Sequence, residues 1–131
     1  MVRQLSSPEL ECTIHPQEGV TIERNGTTFE TNPGEIEHLI DMIVIAMRVE
    51  SFPVLPAQLL NGTFECKFTK NRTLEFKRQD SLHTALACTF AEADKIIVTL
   101  KQCVAIFKEL QQFDPSDRVG FSRNRVTETP F

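Results

Sequence analysis

The sequence predicts an α+β fold: two antiparallel βββ(β)α repeats packed pseudo-symmetrically, with their helices laid against curved sheets. Three observations predict it. Apolar and polar residues alternate with period two in two separate segments, residues 10–31 and 63–78, as half-buried strands require. A stretch of helical periodicity opened by a capping signal follows each segment. The two halves also align with each other, at an offset of 54 residues in the strands and 57 at the helix.

In the first half, Cys12 and Ile14 alternate with Glu11 and Thr13, and Val20 and Ile22 with Thr21 and Glu23. Asn25-Gly26 marks a tight hairpin turn, because both residues tolerate positive φ. Strand character resumes over Thr27–Thr31 around Phe29. Asn32 then serves as N-cap, Pro33 suits the first helical position, where its missing N–H would be unpaired anyway, and Glu35 sits three residues after the cap. A helix from about Pro33 to Val49 gathers Ile36, Leu39, Ile40, Ile43 and Met47 on one face. Its second half, "MIVIAM" at 42–47, is apolar on nearly all sides. Such a helix is covered on more than one face by another helix or another subunit, so a homodimer or larger assembly is expected. Residues 51–62, "SFPVLPAQLLNG", hold two prolines and end in Asn-Gly; they form a linker or edge segment.

The second half starts again with Phe64, Cys66 and Phe68 against Glu65, Lys67 and Thr69. A turn at Lys70–Arg72 leads to Leu74 and Phe76 alternating with Glu75 and Lys77. "RQDSL" is a turn, His83–Cys88 a strand, and a helix runs from about Ala91 to Gln111 with Ala93, Ile96, Ile97, Leu100, Val104, Phe107 and Leu110 as its apolar face. Across the halves, "ECTI" (11–14) meets "ECKF" (65–68), "VTIER" (20–24) meets "LEFKR" (74–78), and "NPGEIEHLI" (32–40) meets "TFAEADKII" (89–97). Three residues are added in the second half between strands, where insertions are tolerated. The unit is βββα, with room for a fourth short strand in each. One such unit buries only one face of its sheet and helix, and two satisfy each other by laying helices across each other's sheets. Residues 1–111 therefore form a single domain of two repeats (about 10–50 and 63–111, linker 51–62), and 112–131 a flexible C-terminal tail with little periodicity.

A chain of 131 residues can build a core without disulfides or metal. Its four cysteines (12, 66, 88, 103) are widely spaced with no CxxC pair, which fits a reduced cytoplasmic protein better than a disulfide frame or zinc site. No apolar signal segment and no run of transmembrane length is present. The net charge of −4 is unevenly spread. Residues 1–50 carry three basic side chains against nine acidic, and residues 51–131 eleven against nine. The sharpest cationic cluster is "KFTKNRTLEFKR" at 67–78, where Lys67, Lys70, Arg72, Lys77 and Arg78 face only Glu75.

No catalytic constellation is visible, and the chain is expected not to be an enzyme and to need no cofactor. His15, His38 and His83 are isolated, without the paired spacing of a metal site. Glu35 and Glu92 are better explained as capping residues than as a catalytic carboxylate pair. No glycine-rich phosphate loop or nucleophile elbow occurs. For binding, Lys67, Thr69 and Lys77 lie on the strand face opposite the apolar one, so a sheet with one face on the core presents them together. Such a strip attracts phosphate in a salt-dependent, sequence-tolerant way. The competing reading is that Lys67 and Lys77 form cross-strand pairs with Glu65 and Glu75.

Gly26, Phe29, Asn32, Pro33, Glu35, Leu39 and Ile43 give the chain a pattern that resembles the positive cofactor four family of transcriptional coactivators. That family, with the Whirly and Pur-alpha proteins, shares a β-sheet–helix unit that pairs into a curved platform for single-stranded nucleic acid, and Pur-alpha proteins hold the pair within one chain. The resemblance covers residues 10–50 and, more weakly, 63–110. It implies single-stranded DNA or RNA as partner, with Lys67, Lys70, Arg72, Lys77, Arg78 and Arg24 as contacts. The first repeat departs from those families because its exposed strand positions are acidic (Glu11, Glu18, Glu23, Glu30). The final "TETPF" resembles the Pro-Phe tip of bacterial and phage single-stranded-DNA-binding proteins, which implies a partner-recruiting role for Thr129, Pro130 and Phe131. The acidic stretch that precedes that tip is missing here.

The expectation is thus a small cytoplasmic single-stranded-nucleic-acid-binding protein of phage type, acting without sequence preference through its sheet surfaces. The alternative is a non-enzymatic viral inhibitor, or a nucleotide-sequestering or protein-interaction protein on the same fold.

Overall fold

The computed structural model describes residues 2–51 and 53–112. The element order is β1 (Arg3–Ser6), β2 (Glu11–His15), β3 (Gly19–Arg24), β4 (Thr27–Thr31), α1 (Pro33–Val49), β5 (Gln58–Leu60), β6 (Phe64–Phe68), β7 (Thr73–Arg78), β8 (Leu86–Thr89) and α2 (Phe90–Gln112). The strands form two antiparallel sheets, β1-β2-β3-β4 and β5-β6-β7-β8, each in sequential order.

The duplication extends to the turns. In the turn after β1, the Ser7 N–H donates to the Leu10 carbonyl at 3.0 Å and the Leu10 N–H to Ser7 Oγ at 3.3 Å. After β5, 54 residues on, the Asn61 N–H donates to the Phe64 carbonyl at 3.2 Å and the Phe64 N–H to Asn61 Oδ1 at 2.8 Å. The next turn repeats as Glu18 N–H to His15 carbonyl and Arg72 N–H to Thr69 carbonyl. The two halves part company after β3 and β7. Asn25 and Gly26, at φ 52° and 82°, make the two-residue hairpin that their side chains favour. Residues 79–85 form a longer loop in the second half, where the three extra residues lie.

Period two selects the core. Cys12, Ile14, Val20 and Ile22 from the first sheet, and Phe64, Cys66, Leu74, Phe76, Leu86 and Cys88 from the second, are all buried. The two helices lie against the sheets, crossed over: α1 packs on β5 and β6, while α2 packs on β1 and β2, and each helix packs on the other. The exchange follows from the surface each unit must hide. Every aligned helix pair is buried on both sides: Ile36 with Ala93, Leu39 with Ile96, Ile40 with Ile97, and Ile43 with Leu100. The fully buried Ile43 and Leu100, each at 0% exposure, sit at the middle of this shared layer.

Both helix starts are capped as the residue types dictate. Asn32 Oδ1 accepts the Glu35 N–H at 2.9 Å, and Thr89 Oγ1 accepts the Glu92 N–H at 3.2 Å. At α2 the box closes reciprocally, since the Thr89 N–H donates to Glu92 Oε1 at 2.9 Å.

Three expectations are adjusted. The fourth short strand exists in both repeats, as β1 and β5, so the segment expected as linker at 51–62 contains the first strand of the second repeat and its turn. The strand expected over 83–88 begins only at Leu86, because residues 79–85 are taken up by the longer loop. The apolar run 42–47 is covered largely within the chain: Met42, Ile43 and Ala46 are buried and only Ile45 reaches 42% exposure. Of the two covers expected, another helix or another subunit, the second repeat supplies the helix. Among the described residues no helix is long and apolar enough to cross a membrane.

Candidate nucleic-acid interface

Each sheet turns one face to the helices and the other outward. The outward face of the first sheet carries Glu11, Thr13, Thr21, Glu23, Thr28 and Glu30. Glu11 lies directly opposite Glu23 in the ladder, a like-charge pairing that costs stability and repels phosphate. The outward face of the second sheet alternates sign instead: Glu65 lies opposite Lys77, and Lys67 opposite Glu75.

The six cations singled out from the sequence separate into three kinds. Arg24 and Arg78, equivalent at the ends of β3 and β7, are internal connectors. Arg24 Nη2 meets Glu92 Oε1 at 2.7 Å, its Nε donates to the Ala87 carbonyl at 2.7 Å, and its Nη1 to the Glu9 carbonyl at 2.6 Å. Arg78 Nη2 meets Glu35 Oε1 at 2.9 Å and donates to the Glu30 carbonyl. The exchange is reciprocal: each arginine reaches the capping glutamate and an edge-strand carbonyl of the opposite repeat, at matched positions. Residue i contacting j while j's repeat returns the same contact is the signature of a two-fold relation. Arg78 also lies over the Phe29 and Phe64 rings, 5.7 and 6.0 Å from their centroids. These two arginines bridge the repeats.

The glutamates at the other end of these bridges register the contact. The Thr89 backbone N–H and the Arg24 guanidinium hold the Glu92 carboxyl below its ordinary value. The Arg78 guanidinium, helped by the Thr31 hydroxyl, does the same for Glu35. Sequence reasoning identified both glutamates as caps and missed their role as the arginines' partners. The available signal was that Arg24 and Arg78, and likewise Glu35 and Glu92, occupy equivalent positions in the aligned repeats.

Lys77 is of the second kind. It pairs with Glu65 at 3.2 Å and donates to the Ser81 carbonyl at 2.9 Å, the cross-strand pairing that competed with a binding role.

Lys67, Lys70 and Arg72 are the third kind. All three are exposed, and among the described residues none of them forms an ion pair. Lys67 stands on the outward face of β6, while Lys70 and Arg72 occupy the turn between β6 and β7. Arg72 takes φ 60°, the left-handed conformation this turn imposes. Its guanidinium lies 5.6 Å from the centroid of the Phe90 ring, within cation–π range. Phe90 stacks in turn on Phe68, with centroids 6.5 Å apart and planes at 27°. Both rings are partly buried and pack against the core. The result is Arg72 over a two-ring aromatic pair at one end of the second sheet, with Lys70 in the same turn and Lys67 on the outward face of β6. Phe68 carried only a core role in the sequence pattern, and Phe90 none; the Thr73–Thr89 pairing of β7 with β8 brings Phe90 beside the turn.

The equivalent end of the first sheet is an indentation of about 360 Å³ lined by His15, Glu18, Thr21, Glu30, Asn32 and Glu35. Where the second repeat has Thr69 and Arg72, the first has His15 and Glu18. The cysteines lie apart from both ends. Burial pushes the Cys66 thiol up to about 12 and that of Cys88 up to about 11. Cys12, hydrogen-bonded to Cys103 and buried, is held far above its ordinary value, so it stays a protonated core residue. Thr129, Pro130 and Phe131 lie outside the described residues. No protein-family model and no curated protein matches the chain.

Proposed function

We propose that the chain binds single-stranded nucleic acid without sequence preference at the β6–β7 end of its second sheet. The carrying observation is the open cation Arg72 over the Phe90 ring, which stacks on Phe68, with the exposed Lys70 in the same turn and the exposed Lys67 on the adjoining strand. Cations that follow a backbone beside aromatic rings that accept any base give sequence-tolerant binding. The reading also rests on the resemblance of the sequence pattern to the positive cofactor four, Whirly and Pur-alpha proteins. The binding surface proposed here is narrower than theirs, because Arg24, Arg78 and Lys77 are occupied by internal partners and the first sheet is acidic.

A labelled oligothymidylate titrated by fluorescence anisotropy over a range of salt tests this. Three phosphate contacts give a slope of log K against log salt of about −2, at roughly −0.7 per contact on a single strand. Replacing Lys67, Lys70 and Arg72 together by alanine removes the binding, and Arg72→Ala alone lowers the slope by roughly 0.7. No binding at low salt overturns the proposal.

The acidic outward face of the first sheet, with Glu11 opposite Glu23, favours a second reading: a protein-interaction or inhibitor role in which that face meets a basic partner. Glu11→Lys with Glu23→Lys would then abolish partner capture and leave oligonucleotide binding intact.

A further inference from the structure

The antiparallel pair α1 and α2 is covered by the sheets on its inner side and open on its outer side. Between the helices runs a groove of about 550 Å³. One wall, from α1, carries the carboxylates Glu37 and Asp41; the other, from α2, carries the ammonium groups of Lys101 and Lys108; Ile40 and Val104 form its floor. Glu37 and Lys108 meet across one end at 3.4 Å. Asp41 and Lys101 are exposed, and among the described residues neither forms an ion pair. A turn further along each helix, at the same end because the helices run antiparallel, stand Ile45 at 42% exposure and Val98 at 55%.

We infer that this helix pair is the face on which a second copy of the chain docks, related by a two-fold axis running along the groove. The sign pattern selects the occupant. A partner related by that axis lays its α2 on this α1 and its α1 on this α2, so the acidic wall of each copy meets the basic wall of the other. The contact is self-complementary, as an isologous interface requires, and opposite potentials fix its register. The exposed Ile45 and Val98 supply apolar area that such an interface covers and that a monomer leaves in water. A uniformly charged partner would meet a like-charged wall on one side. The dimer leaves the outward sheet faces open, so it places two copies of the Lys67–Lys70–Arg72 end on one assembly.

Sedimentation velocity on the full chain, with Asp41→Lys and Lys101→Glu as separate variants, tests the docking. Both substitutions are at exposed positions, and circular dichroism melts check that each variant folds. The expected result is a wild-type dimer, dimerisation weakened roughly a hundredfold toward monomer in each variant because every charge reversal is counted twice across a two-fold interface, and a heterodimer restored when the two variants are mixed. A wild-type monomer at high micromolar concentration overturns the inference. So does a dimer that survives both reversals, which would place the contact elsewhere, and so does a mixture that stays monomeric.

Discussion

The two four-stranded sheets share strand order, turn hydrogen bonds and buried residues, yet their outward faces have opposite characters. In the first sheet Glu11 faces Glu23 across the ladder; in the second, Glu65 faces Lys77 and Lys67 faces Glu75. The turn that holds Gln17 and Glu18 in one repeat holds Asn71 and Arg72 in the other. Most of what faces inward, or crosses between the repeats, is duplicated: the six buried positions of α1, the N-caps and the reciprocal arginine–glutamate bridges. Much of what faces solvent has diverged, although Glu11 and Glu65 stay the same at equivalent outward positions. Packing constrains the inward set, because a core tolerates neither voids nor unpaired charge. The outward set is free to take up binding in one repeat alone.

The largest effect should come from the duplicated core. Leu100→Ala and Ile43→Ala occupy equivalent, fully buried positions, and each should cost about 2–5 kcal/mol in urea unfolding. Similar losses support a common layer shared by both repeats. A loss confined to one site would break the equivalence.

Next come the bridges, which are matched in place but not in burial. The Arg24 side chain is 8% exposed and that of Arg78 26%. Arg24→Ala leaves three acceptors without their donor and should cost about 3 kcal/mol, against about 1–2 for Arg78→Ala. Equal losses would show that burial does not set their worth.

The same bridges set an acid limb. Glu35 and Glu92 have folded-state values depressed below the ordinary 4.5. The unfolded chain therefore takes up protons first, and the stability they provide is present above about pH 4.5 and lost as pH falls through the lower folded values. Glu35→Gln and Glu92→Gln should each flatten the fall in melting temperature below that pH. An unchanged acid limb would detach the bridges from acid stability.

The smallest effect should come from the diverged face. Glu23→Lys replaces the like-charge pair with Glu11 by an opposite one, giving the first sheet the pattern of the second, and should stabilise by about 0.2–1 kcal/mol. Destabilisation would mean that the acidic face serves the fold.

Most of the fold was legible in the chain because the relevant signals are local. Asn25-Gly26 declared its hairpin, Asn32 and Thr89 declared the helix starts, and alternation around Cys12 and Cys66 declared the strands. The fourth short strand of each repeat, Arg3–Ser6 and Gln58–Leu60, was allowed for but could not be placed, because three or four mostly exposed residues carry no period to detect. The candidate site was less legible. Arg24, Arg78 and Lys77 have the composition of ligand contacts, and only their partners, as many as 68 residues away for Arg24, distinguish a bridge from a binding residue.

By itself, then, the sequence determined the elements, their duplication and which face of each is apolar, since these depend on residues a few positions apart. The tertiary structure decided which cations remain open. A side chain's charge is fixed by its type, but its availability depends on what the fold places within hydrogen-bonding reach, and here the exchange of helices between repeats places Glu92 against Arg24 and Glu35 against Arg78 while leaving Lys67, Lys70 and Arg72 unpaired.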